Sequence, residues 1–155
     1  FNQIVFGRKA EISPDLSGDI NEEALQWARE YSYKLVGGIN ETTRRILEQA
    51  LVDFIQIEGF TVQDVLDELL EAFSPERAGL IARTEITRAY SQASQDIAQT
   101  LREAGTAFAE IWDTRSDDLV CEICGPLHRK QRGDGWNEYP PAHPSCRCSV
   151  SHVVV

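Results

Sequence analysis

The sequence predicts an α+β fold: helices first, then a small β-unit clasped by a metal. Three observations carry this. Apolar residues recur at helical spacing between well-marked caps from Asn21 to about Ala104. After Gly105 the pattern turns to short runs of aromatic and β-branched residues, Phe108–Trp112 and Ser149–Val155. Between those runs lie all four cysteines, Cys121, Cys124, Cys146 and Cys148, with His143 three residues before Cys146.

Residues 1–20 show no clear period and read as an extended arm or linker. The chain begins with Phe and contains no Met, the expectation for a fragment or a processed product. A first helix is expected from Asn21, with Glu22 and Glu23 in its first turn where the helix dipole favours acids. Ala24, Trp27, Ala28, Tyr31 and Leu35 form its apolar face, and Gly37-Gly38 ends it. Asn40 caps a second helix, with Leu47, Ala50, Leu51, Phe54 and Ile55 as its stripe and Gly59 at its close. Thr61 caps a third, with Asp64 at the capping-box position and Val62, Val65, Leu66, Leu69, Leu70 and Phe73 turned inward. These make a helical region over 21–73.

Ser74-Pro75-Glu76 restarts the helix: a hydroxyl cap, a proline whose missing N–H costs nothing there, and an acid. The fourth helix then runs to about Ala104, with Ala82, Ile86, Ala89, Ala93, Ile97 and Leu101 as a narrow stripe that lets another element approach closely. Its polar second half, from Ser91 to Gln99, is expected to be more exposed. The two strands should pair with the cysteine loop connecting them, and the β-unit should pack on this long helix.

Two short chelating pairs separated by a loop suit a tetrahedral ion, and zinc is the default reading. Cys121 and Cys124 are the firm pair. His143, Cys146 and Cys148 are three candidates for the other two places, giving either an all-cysteine site or one completed by His143. With every ligand a protein group, no position is left open for water, so the site is structural. The competing reading is two disulfides. Against it, the cysteines sit at one end of the chain, no signal peptide is recognisable, and Cys146 and Cys148 are too close in sequence to bridge each other easily.

Around this loop, Arg83 or Glu85 is expected to be partly buried and to hydrogen-bond the backbone of the β-unit; the competing reading is a solvated helix face. Asp117 should cap the turn into Cys121. Trp112, Trp136 and Tyr139 read as core plugs over the metal loop, with base stacking as the lesser reading. His128 reads as an exposed loop histidine; a nuclease would use it as a general base, but no acid/base partner accompanies it.

At 155 residues, with 26% charged and 42% hydrophobic side chains, the chain can bury a real core, and no apolar run approaches a membrane span. The net charge of −10 argues against strong non-specific DNA binding, which needs Lys and Arg on phosphates. The excess acid lies in the helical part; from Arg115 to Arg147 the cations Arg115, Arg129, Lys130, Arg132 and Arg147 match the acids Asp117, Asp118, Glu122, Asp134 and Glu138.

Two stretches go beyond generic zinc. One is Ile81-Ala82-Arg83-Thr84-Glu85-Ile86-Thr87-Arg88-Ala89-Tyr90. The other runs from Trp112 through Asp117 and Cys121-Glu-Ile-Cys124-Gly-Pro-Leu127 to Pro141-Ala-His143-Pro144-Ser-Cys146-Arg147-Cys148. In this order they resemble the phage head morphogenesis domain of the Mu F-like and SPP1 gp7-like minor head (minor capsid) proteins, over about half the chain from Ala78 onward. A domain of 74–155 follows. Leu119 stands where the family often has a basic residue, and Arg129–Arg132 where many members continue with Gly and an apolar residue; both bear on surface contacts, not on the cysteines. The resemblance implies a non-enzymatic protein of the virion, assembled in the bacterial host cytoplasm and sitting inside the head near the portal. Its implied partners are portal, capsid or scaffold protein, with DNA as a weak one and no membrane. Similar domains fused to bacterial toxin modules leave a metal-dependent nuclease or toxin effector as the alternative.

Overall fold

The computed structural model describes residues 16–31, 33 and 36–155. Among them, four α-helices precede a two-stranded antiparallel sheet: α1 (Leu16–Glu30), α2 (Glu41–Gln56), α3 (Val62–Leu69), α4 (Pro75–Glu103), β1 (Phe108–Asp113) and β2 (Ser149–Val154). The fold is α+β. No helix among the described residues is long and apolar enough to cross a membrane.

The caps do what their chemistry dictates. The Asn40 side chain accepts from Thr43 N while Thr43 Oγ1 accepts from Asn40 N, both at 2.9 Å. Thr61 and Asp64 form the same reciprocal box, with Asp64 Oδ2 accepting from Thr61 N at 2.7 Å. Ser74 caps α4 and Pro75 opens it; Gly105, at φ +89°, follows its last turn.

The first helix departs from expectation at both ends. It starts at Leu16, so Asn21 lies inside it and residues 16–20 are helical, whereas an arm was expected over 1–20; residues 1–15 and Leu35 lie outside the described residues. It stops at Glu30, well before Gly37, because Tyr33 turns inward. Tyr33 adopts φ +52°, is fully buried, and donates its hydroxyl to Ala28 O at 2.7 Å. Its ring meets Tyr31 and Trp27 edge-on, with centroids 4.9 and 6.3 Å away. Burying a whole aromatic ring outweighs the left-handed backbone, a cost on the order of 1 kcal/mol.

One apolar core joins α1, α2, α3 and the first half of α4 around Leu47, Leu51, Val65, Leu69 and Ile81. Leu70, expected inward, is 46% exposed, because α3 ends at Leu69 and the chain turns there. The second half of α4 is also less exposed than its composition suggests. Ser91, Ala93, Ser94, Ile97 and Ala98 are buried, and Ala24 of α1 closes on Ala93 and Ile97. Small side chains let two helices approach closely, so Ser and Ala mark a contact here and not a wet face.

The strands pair from Phe108 with Val154 to Asp113 with Ser149. The cysteine loop folds back on the other edge of β1: Trp112 N donates to Lys130 O (2.9 Å), Arg129 N to Trp112 O (2.8 Å) and Arg132 N to Glu110 O (2.9 Å). β1 is therefore bonded on both sides.

Candidate metal centre

The loop between β1 and β2 brings the five candidate ligands together. His143 Nε2 lies 3.1 Å from Cys121 Sγ and 3.2 Å from Cys124 Sγ. Cys124 Sγ and Cys146 Sγ are 3.8 Å apart. Two groups result, Cys121–Cys124–His143 and Cys124–Cys146–Cys148, each with its ligand atoms within 4.8 Å and sharing Cys124. Every cysteine is a free thiol, and 3.8 Å is far beyond the roughly 2.05 Å of a disulfide, so the disulfide reading fails.

Local structure explains the convergence. A tight turn puts Cys124 N on Cys121 Sγ at 3.4 Å, and a single 3-10 turn over Gly125–Leu127 carries the chain away. Ser145, at φ +63°, makes the bend that returns Cys146 beneath His143, and Cys146 N donates to His143 O at 3.1 Å. His143 Nδ1 lies 2.8 Å from Pro144 O; a proton on Nδ1 makes that bond and leaves Nε2 as the ligand atom, as metal-binding histidines commonly are oriented. Cys146 is pulled down to about 5, first by the Cys148 thiol bonding to it, while Cys148 is pushed up by the same contact and by burial. The backbone N–H of Cys124 lowers Cys121, and burial pushes Cys124 up to about 12. Buried sulfurs of opposing tendency, plus one oriented imidazole, form a donor set that can hold a soft divalent ion.

The surrounding shell is aromatic. Trp112 is fully buried and meets Trp136 edge-on at 5.3 Å, Trp136 meets Tyr139 at 6.0 Å, and Trp136 Nε1 donates to Lys130 O at 2.9 Å. Their burial leaves no ring face free for base stacking by Trp112 or Trp136. Asp117 Oδ1 accepts from Leu119 N at 3.0 Å, and its carboxylate takes both Arg147 guanidinium nitrogens at 2.7 and 2.9 Å, which holds it below the usual carboxylate range.

The bonds between α4 and the loop come from other residues than expected. Arg83 is exposed. Glu85 is 2% exposed but faces Arg88, its Oε2 lying 3.3 Å from Arg88 Nε; burial pushes its carboxyl up and Arg88 pulls it back. Thr84 and Thr87 make the connection: Thr84 Oγ1 accepts from Ser145 N and Thr87 Oγ1 donates to Cys146 O, both at 2.8 Å. Two hydroxyls three residues apart on a buried helix face were the available sign.

A second cluster went unread in the sequence. Glu110, 4% exposed, receives Arg102 at 2.7 Å, Arg132 at 3.2 Å and the Tyr139 hydroxyl, which also lies 3.2 Å from His152 Nε2. Burial pushes Glu110 up, yet the bonds from Arg102, Tyr139 and Arg132 together hold it below its ordinary range; burial lowers His152. His128 is exposed, and its Nδ1 accepts from Thr114 N at 3.2 Å. That contact gives no support to a general base.

Fold and site define a class: a helical body carrying a small hairpin unit closed by a Cys/His cluster. Within that class the assignment is direct. A family model described as Phage Mu protein F like protein matches residues 29–151, and the chain belongs to this family. No curated protein and no solved structure matches significantly.

Proposed function

We propose that the chain is a structural minor head protein, acting in phage head assembly inside the virion near the portal. The observation that carries this is the family match across 29–151, which spans the α4 motif and the whole Cys/His unit. Portal, capsid or scaffold protein is the partner, DNA at most a weak one, and assembly takes place in the host cytoplasm. The division that goes with this reading is a helical region expected over 21–73 and extended back to Leu16 by α1, followed by a head-morphogenesis domain over 74–155. Cys121 and Cys124 hold a zinc ion with two of His143, Cys146 and Cys148, supported by the orientation of His143 Nε2 and by a Cys124–Cys146 spacing close to the ~3.8 Å edge of a thiolate tetrahedron with ~2.3 Å bonds. The ion is structural: it ties the hairpin loop together and presents the surface that assembly uses. No observation favours the nuclease or toxin-effector reading.

Gradient fractionation of heads tests the role. The protein should co-sediment with procapsids or mature heads in few copies; absence from both overturns it. Elemental analysis of the purified chain should give about one zinc, and the cobalt-substituted spectrum should separate a four-sulfur site from a three-sulfur, one-nitrogen site.

A further inference from the structure

The hairpin unit gathers five metal-binding side chains, one more than a tetrahedral ion takes. Among the described residues they form two sets of three, Cys121–Cys124–His143 and Cys124–Cys146–Cys148, and not one set of four. The two sets share Cys124 but differ in chemistry. The outer one contains an imidazole, and both Cys121 and His143 are only half-buried. The inner one is sulfur alone, with Cys124, Cys146 and Cys148 at 2%, 1% and 8% exposure. Trp112, Trp136 and Val150 belong to the same buried cluster.

Zinc takes four ligands and accepts nitrogen, so neither set of three completes it. A soft ion with a filled d shell and a single charge prefers thiolate, and three ligands in a plane satisfy it. At the ~2.3 Å length of a zinc–thiolate bond, three sulfurs in such a plane stand ~4.0 Å apart. Cys124 Sγ and Cys146 Sγ are 3.8 Å apart, an edge that serves a plane or a tetrahedron. What separates the two is donor type, and the inner set has no nitrogen. We propose that Cys124, Cys146 and Cys148 form a second, all-sulfur site for a soft monovalent ion of the Cu⁺ class, with Cys148 setting that preference. The thiol protons leave to solvent as the sulfurs bind. Arg147, whose charge acts on both Cys146 and Cys148, offsets part of the negative charge that results. Burial keeps water from the ion, and the shared Cys124 gives it a route inward from half-buried Cys121. The inference rests on the reading that this loop binds metal, and adds a second ligand set to it.

The test is an anaerobic titration of the full chain, as purified, with Cu⁺ buffered by a chromophoric chelator. One Cu⁺ per chain should bind, and X-ray absorption at the copper edge should show three sulfur neighbours and no nitrogen. Cys148→Ser should weaken Cu⁺ binding by about tenfold or more. Cys121→Ser should weaken it less, while costing far more zinc affinity in a parallel competition titration. Nitrogen bound to copper, no uptake of Cu⁺, or equal losses of Cu⁺ from the two substitutions overturns the proposal. Where a variant does not fold, the copper-edge spectrum of the native chain decides alone. Zinc binding without Cu⁺ uptake overturns this proposal and leaves the zinc reading standing, whereas a chain that takes neither ion overturns both. The head-assembly reading is tested separately, by fractionation.

Discussion

The two ends of this molecule solve the problem of a core in different ways. The helical body buries Leu47, Leu51, Val65, Leu69 and Ile81, an ordinary apolar interior whose stability scales with area removed from water. The hairpin unit has only two strands, and an isolated two-stranded hairpin is marginal in water. Its interior is instead three sulfurs, two indoles and one valine: Cys124, Cys146, Cys148, Trp112, Trp136 and Val150. The first core needs only the right sizes and periods. The second needs chemistry, since sulfur and imidazole hold a unit this small chiefly when something binds them.

The comparison breaks most visibly under metal removal. With a chelator, the near-ultraviolet signal of Trp112 and Trp136 should collapse while far-ultraviolet helix signal persists, because for the zinc proposed above binding energy would be folding energy, on the order of 10 kcal/mol. Coincident loss of both signals would join the two regions into one cooperative unit. Leu51→Ala should be next, at about 2–5 kcal/mol, yet leave zinc affinity unchanged by competition titration, because the side chain lies wholly in the other core. Chemical denaturation of the zinc-loaded chain measures it. Glu110→Ala should follow in the same assay, at about 1–3 kcal/mol, since it removes charge-assisted bonds to a buried carboxylate while Arg102 and Arg132, each 35% exposed, stay partly solvated.

Acid sharpens the contrast further. Glu110 has a folded-state pKa below its ordinary 4.5, so its contribution is present above that value and is lost as pH falls through the lowered one. His152, also lowered, binds its proton more readily unfolded, so stability begins to fall below its ordinary 6.5. Both signs agree, and Glu110→Gln should flatten the acid limb of a stability–pH curve. The smallest effect is Thr87→Val, about 1 kcal/mol, from the lost bond to Cys146 O. Faster amide exchange in residues 143–148 than in α2 would reveal it.

Local chemistry was legible and long-range partnership was not. Asn40, Thr61 and Ser74-Pro75 could be read because a cap is completed within three residues. The cysteine spacing could be read because chelation imposes it. The end of α1 could not, because Tyr33 trades backbone ease for a ring buried by distant neighbours. Arg83 drew attention as a charge, while the hydroxyls of Thr84 and Thr87 found partners some sixty residues away. Glu110 looked like a polar residue on a strand until Arg102, Arg132, Tyr139 and His152 were brought around it.

The threonine pair also fixes how the molecule would carry a load. α4 is 29 residues, about 43 Å long, and both regions are fastened to it. Thr84 and Thr87 grip the cysteine loop near the middle of this beam, while Arg102 grips Glu110 near its far end. A tug on β2 is thus shared between two anchorages about 22 to 27 Å apart along the helix, 15 to 18 residues at 1.5 Å each. Such spacing resists twisting of the hairpin about either anchor, so the orientation of the β-unit on α4 is set by two fastenings and not by one.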